Sequence, residues 1–185
     1  MPDLAFSVSF TTRPMREGEQ DGREYHFVTR QEFERLIGEG EFLEYAEVHG
    51  NLYGTSSAES DKLCNAGKDV IVEVDVQGAI QIMEKPAVGN VSIFILPPSF
   101  DVLRKRLTAR GTESDEQLDT RLRNAFDEVR QYPAFKYIVV NNDVTEATDQ
   151  ITSIIVAERQ VLDRQTGTIQ GILDSFDASK HLYTR

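Results

Sequence analysis

Arg13 and Arg16, three residues apart in the stretch TTRPMR, are the first side chains of this sequence whose type and spacing suit a definite chemistry. A guanidinium presents paired N–H donors that match phosphate oxygens, and Pro14 restricts the backbone between the two, so the pair suits a dianionic phosphate. Taken alone, the pair also reads as two solvated surface arginines beside many carboxylates. Tyr25 and Tyr53 would add hydroxyl donors there, or serve as core aromatics with a wet tip. Asp75 ends the run VIVEVD. A carboxylate at the C-terminal end of a buried parallel strand either meets a magnesium-bound phosphate or ligand donor, or caps the helix that follows. Arg106 and Arg110 lie four apart on one helix face, and Arg121 follows on the next helix beyond RGTESDE. Three such cations could neutralise a phosphoryl group in flight, although Arg106 and Arg110 also sit where a helix dipole favours basic residues. His26, His49 and His181 have no metal-ligand spacing and read as structural or surface residues. Asn90-Val91-Ser92 is a chance glycosylation sequon.

The elements that must position these groups follow from periodicity. LAFSVSF and YHFV read as extended segments around the turn-forming EGEQDG, and Thr29 with Glu32 forms a capping box ahead of a helix over 30–38. EFLEYAEVHGNLYGTS reads as a strand, a Gly50-Asn51 turn and a return. From residue 69 the apolar runs DVIVEVD, VSIFILPP and FKYIVVNND are each separated by an amphipathic helical stretch. Strands alternating with helices predict an α/β fold with a parallel sheet and crossovers. The helices are QGAIQIMEK, SFDVLRKRLTARG opening on Ser99, SDEQLDTRLRNAFDEVRQY opening on Ser114 with Gln117 as its partner, and TEATDQITSIIVAERQVLD. Leu118, Leu122, Phe126 and Val129 form an apolar stripe on the third, with Arg121 off it. The segment RQTGTIQGILDSFDASKHLYTR carries only a weak Ile-Leu-Phe pattern and is expected to be a loosely packed or disordered tail.

Composition bounds the function classes. The 185 residues suffice for one main core, and the formal charge of −11 argues against non-specific binding to nucleic acid or acidic membranes, so any anion must be held by a local arginine cluster. The single cysteine, Cys64, excludes an internal disulfide framework and suits a reducing compartment. No run approaches the roughly 20 apolar residues of a membrane span, and the first residues lack the form of a signal peptide. A cytoplasmic protein is expected; its oligomeric state is not fixed by these features.

In this order the segments SVSFTTRPMREGEQDGREYHFV, FLEYAEVHGNLYGTS, VIVEVDVQG, FILPPS, KRLTARGTES and YIVVNND closely resemble the guanylate kinases, which move a phosphoryl group from ATP to GMP. The resemblance runs from about residue 4 to residue 163. It implies a nucleoside-monophosphate-kinase-like parallel sheet flanked by helices, with a small β-rich GMP-binding region over about 4–68, a helical lid over about 104–124 and a C-terminal tail over 164–185. By resemblance Ser9, Arg13, Arg16, Tyr25 and Tyr53 hold the nucleotide phosphate, and Glu44, Thr55 and Asp75 surround the guanine. Guanine offers two N–H donor groups and an O6 acceptor, so a carboxylate facing the donors and a hydroxyl near O6 selects it over adenine. Arg106, Arg110 and Arg121 match lid and catalytic arginines, Asn141 matches a position near the adenine of ATP, and Mg²⁺ is implied with ATP. Glu73 stands where many members carry aspartate.

One family motif is missing. The 185 residues contain no G-x-x-x-x-G-K-[ST], the loop whose backbone N–H groups and lysine cradle the ATP phosphates; Gly67-Lys68 is followed by Asp69, has Lys62 in place of the first glycine, and is expected to be a turn. Without the first strand, phosphate loop and first helix the chain is expected to be impaired or inactive and less stable. A guanylate kinase lacking its N-terminal segment, a non-catalytic guanylate-kinase-like module that binds GMP or phosphopeptide, and a phosphate loop supplied by a separate chain are the three readings this leaves.

Overall fold

Thr29 accepts a hydrogen bond from the Glu32 N–H and opens α1 (Arg30–Gly38), as its capping box requires. The helix lays Phe33 against Phe42 and Leu52, and Phe10, Val28, Leu36 and Ile37 complete that core. A computed structural model describes residues 1–48, 50–85, 89–110 and 115–182, so His49 and Ser114 lie outside the described residues, as do the side chains of Arg110 and His181. The chain divides into two compact units, Met1–Ser92 with Glu113–Ala134, and Ile93–Thr112 with Phe135–Arg185.

In the first unit the α1 core is covered by a four-stranded sheet of order β3-β2-β5-β4, built from β2 (Phe10–Thr11), β3 (His26–Phe27), β4 (Phe42–Val48) and β5 (Asn51–Ser56). Phe42, Glu44 and Ala46 are buried while Tyr45 and Glu47 are exposed, the period-2 alternation of a half-buried strand. β4 and β5 pair antiparallel through Gly50, whose φ of +79° is the left-handed conformation that glycine adopts freely. The register slips between Phe42 and Glu44, a bulge that sets Glu44 opposite Thr55.

Gly54 is required for space. A Cβ there would lie 3.0 Å from Phe33 Cζ and from Phe42 Cδ1, and 3.1 Å from the Glu44 carbonyl oxygen. The two rings and the carbonyl would have to give by a few tenths of an ångström inside a packed core, so Gly54→Ala is expected to destabilise the chain by about 1–3 kcal/mol, measured as a lower urea midpoint.

β1 (Leu4–Phe6) pairs in parallel with β6 (Asp69–Ile71), and α2 (Ser57–Asn65) and α3 (Val76–Met83) flank β6 in the chain. LAFSVSF thus splits into two strands, and DVIVEVD forms only three ladder residues because β1 offers only three partners. Gly67-Lys68 is the end of α2: the Gly67 N–H donates to the Cys64 carbonyl at 2.9 Å and the Lys68 N–H to that of Leu63 at 3.2 Å, with Gly67 at φ +77°. This is the double-bonded C-terminal cap of a helix, and both N–H groups are already committed.

α5 (Asp115–Val129) also belongs to this unit. Its predicted apolar stripe does not make a core face, since no residue of α5 is buried and Phe126 and Val129 are exposed.

The second unit pairs β7 (Ile93–Leu96) in parallel with β8 (Tyr137–Val140) and contains α4 (Phe100–Arg110), α6 (Val144–Arg159) and α7 (Leu162–Ser179). The α/β class is as the alternation predicts. The segment expected to be a loosely packed or disordered tail forms most of α7: its weak apolar pattern falls at helical spacing, and none of the helix's 18 residues is buried.

Candidate functional site

The strand ahead of Arg13 fixes its backbone. Thr11, fully buried, donates through Oγ1 to the Leu52 carbonyl at 3.0 Å and accepts from the Arg13 N–H at 3.1 Å. The Thr12 N–H donates to the same carbonyl at 3.0 Å, and Thr12 Oγ1 accepts from the Leu52 N–H at 2.9 Å. The two threonines therefore peg TTR to β5. The Arg13 guanidinium forks onto Glu19, at 3.0 Å to Oε2 and 2.8 Å to Oε1, and donates to the Pro14 carbonyl at 2.7 Å. It lies over the Tyr25 ring at 5.4 Å and the Phe27 ring at 5.6 Å, and Tyr25 and Tyr53 meet edge-on at 5.9 Å.

The Glu19 hydrogen bonds raise the Arg13 pKa further, and Arg13 in turn holds the Glu19 carboxyl below its usual range. Glu19 also accepts from the Arg16 N–H at 2.7 Å. A carboxylate with one oxygen on each arm of the fork presents Arg13 with the geometry a phosphate would. Sequence reasoning missed Glu19, although its placement six residues after Arg13 and three after Arg16 was visible. The Tyr25 hydroxyl is kept protonated to higher pH by burial, then by Glu73 and Tyr53. Ser9 is half-buried between β1 and β2, and its carbonyl accepts from the His26 N–H.

Facing residues of β4 and β5 make a second polar centre. Glu44 is 5% exposed and Thr55 is fully buried, and the Thr55 hydroxyl donates to Glu44 Oε1 at 2.7 Å. Burial pushes the Glu44 carboxyl up; the Thr55 hydrogen bond opposes the shift and the Asp75 charge adds to it. A buried carboxylate with one hydroxyl partner and a second carboxylate nearby is poised for a ligand that brings donors.

Asp75 realises the helix-cap alternative. Its Oδ1 accepts from the Gly78 N–H at 2.9 Å and closes the first turn of α3. It also acts electrostatically on Glu44 and on Glu128 of α5, whose carboxyl is raised by partial desolvation first and Asp75 second, with Arg121 opposing. Arg121, half-buried, thus shares an electrostatic neighbourhood with Asp75 and Glu128. Glu128 carried no sequence signal. Glu73 is exposed.

In the second unit Arg106 donates to the carbonyls of Asn141 at 2.8 Å and Asn142 at 3.0 Å, at the C-terminal end of β8. Asn141 Oδ1 is buried without a hydrogen-bond partner. Of the predicted residues, the first unit gathers Ser9, Arg13, Arg16, Tyr25, Glu44, Tyr53, Thr55, Asp75 and Arg121. The second brings Arg106 and Asn141 together.

The strands alternate with helices as the sequence resemblance called for. The guanylate kinase family model matches residues 2–158. The chain belongs to the guanylate kinase family. It is 50% identical over 174 residues to a guanylate kinase of Neisseria meningitidis, covering 93% of this chain and 83% of that protein. It is 44% identical over 179 residues to one of Clostridium perfringens, covering 97% and 81%. The crystal structure of guanylate kinase from Anaplasma phagocytophilum superposes with a TM-score of 0.77 at 38% identity, over 94% of this chain and 85% of that one. Among the described residues no helix is long and apolar enough to cross a membrane.

Proposed function

We propose that this guanylate kinase family member binds GMP in its first unit and takes part in phosphoryl transfer from ATP, in purine nucleotide metabolism in the cytoplasm. The observation that carries the reading is Glu44, a carboxylate 5% exposed on the β4–β5 sheet, with a hydroxyl beside it and the Arg13 clamp on the same sheet. Guanine N1–H and N2–H₂ would donate to Glu44, the Thr55 hydroxyl would face O6, and Asp75 would border the base. The phosphate would exchange with Glu19 on Arg13, with Arg16, Ser9, Tyr25 and Tyr53 adding donors. Arg106, Arg110 and Arg121 would stabilise the charge of the group in transfer, from a lid over about 104–124.

On the donor side the buried, unpartnered Asn141 Oδ1 suits the exocyclic amino group of adenine. Among the described residues no group of three or more His, Cys, Asp or Glu could hold a metal ion. Magnesium is implied with ATP, and when bound it would neutralise charge on the phosphates. The 185 residues contain no Gly-x-x-x-x-Gly-Lys-Ser/Thr loop for those phosphates, and the Gly67-Lys68 turn cannot replace one because its N–H groups close α2.

Arg13→Ala is expected to weaken GMP binding about 10- to 100-fold, the loss of a charge-assisted clamp worth about 1.5–3 kcal/mol. Binding of guanosine, which lacks the phosphate, should be unchanged. Calorimetry with both ligands tests the assignment, and an equal loss for guanosine would show that Arg13 supports the fold instead of the phosphate.

A further inference from the structure

The helix behind Glu44 carries a face that the assigned ligand contacts leave unexplained. Gly78 sits in the first turn of α3, and a Cβ on it would lie 2.4 Å from Glu44 Oε2, 3.0 Å from Glu44 Cδ and 3.2 Å from Val74 Cβ. Gly78 has no left-handed backbone conformation to justify a glycine, and glycine is a poor helix former. Space for the carboxylate is what remains.

One turn on, Gln81 lies on the same face and presents its side-chain amide to the main chain of Tyr45, the residue after Glu44. Its Nε2 donates to the Tyr45 carbonyl at 2.8 Å, and its Oε1 accepts from the Tyr45 N–H at 3.3 Å. β4 is an edge strand, so those two backbone groups have no ladder partner and the glutamine amide stands in for a neighbouring strand. Lys85 Nζ, a further turn along, donates to the carbonyl of Leu43, the residue before Glu44. α3 and Lys85, two residues beyond it, thus hold the backbone on both sides of Glu44 and leave a glycine-sized recess behind its carboxylate.

We infer that Gly78 and Gln81 are positioning residues for base selection: they aim the Glu44 carboxylate at the ring edge of a purine nucleoside monophosphate and so set the preference for guanine. The inference rests on the proposed GMP site. Moving a carboxylate by the width of a methyl group breaks its paired hydrogen bonds to the base and leaves the phosphate clamp intact.

The test is the ratio of GMP to AMP affinity, with ribose 5-phosphate as a probe of the clamp alone, on the 185-residue chain. Gly78→Ala should lower the GMP/AMP ratio at least about 10-fold and leave ribose 5-phosphate binding unchanged. Gln81→Ala, which introduces no clash, should lower the ratio several-fold in the same manner. Glu44→Asp withdraws the carboxylate by one methylene, so in the Gly78→Ala background it should cost much less than in the wild type, a non-additive cycle that a purely structural role would not give. A folded Gly78→Ala chain and a folded Gln81→Ala chain that both keep the wild-type ratio overturn the inference and leave the GMP site standing. A wild-type chain with no preference for GMP overturns both.

Discussion

Mixed with GMP and magnesium ATP, the 185-residue chain is expected to form GDP at least about 1,000-fold more slowly than the same chain with a strand, a Gly-x-x-x-x-Gly-Lys-Ser/Thr loop and a helix fused ahead of Leu4. Phosphoryl transfer is mostly positioning and charge stabilisation, and the loop supplies both on the donor side through its backbone N–H groups and its lysine. Losing one preorganised donor in such a site costs about 10²–10³ in rate. The only Gly-Lys pair in this sequence is bound into the cap of α2, with the Gly67 and Lys68 N–H groups on Cys64 and Leu63. GMP binding in the first unit should be nearly the same in the two proteins, since the groups assigned to it lie on or beside β2–β5 and at the start of α3. Turnover by the 185 residues equal to that of the fusion, followed by coupled release of ADP, would mean that other groups hold the ATP phosphates.

The second large effect belongs to Glu44. Glu44→Gln should weaken GMP binding about 100-fold or more, because two guanine donors lose a charged acceptor and the new amide points an N–H at them; each such bond is worth about 1.5–3 kcal/mol. The same substitution should raise the melting temperature at neutral pH. Burial lifts the Glu44 carboxyl above its unfolded value, so between the two values the folded chain holds a proton that the unfolded chain has released. Stability from this group therefore falls as pH rises through that window, and at neutral pH the folded chain bears the full cost of a buried charge beside Asp75. Glutamine removes the cost. The wild-type affinity for GMP should also fall on acidification through the raised Glu44 value, since only the carboxylate accepts both donors, and the variant should show no such step. Thermal melts and titrations across acid pH read the two effects separately. A variant that binds GMP normally, or melts lower, would contradict the assignment of Glu44.

The parts of this arrangement that were legible from the sequence are those that local chemistry dictates. Thr29 with Glu32 and the spacing of Phe33, Leu36 and Ile37 gave α1 its bounds, and EFLEYAEVHGNLYGTS reads as the strand, turn and return that β4 and β5 form. Asp75 was legible as either a ligand contact or a helix cap, and the fold shows the cap. Long-range partners were not legible. β6 is three residues long because β1 is, a limit set 65 positions away in the register Leu4↔Asp69. The apolar stripe of α5 and the weak pattern of α7 show that helical spacing marks a helix without marking what covers it. Glu19, Glu128, Gly78 and Gln81 matter through residues they meet only in the folded chain, and a glycine required for the space behind a carboxylate looks in sequence like any other glycine in a helix.

The most direct test is calorimetric titration of the 185-residue chain, shown to be folded by its circular dichroism, with GMP and AMP under identical conditions. A buried carboxylate and hydroxyl reading guanine from one sheet predict GMP binding tighter than AMP by at least about 100-fold, with the heat lost on mutation of Glu44. A folded chain that binds the two nucleotides equally, or neither, would contradict the account.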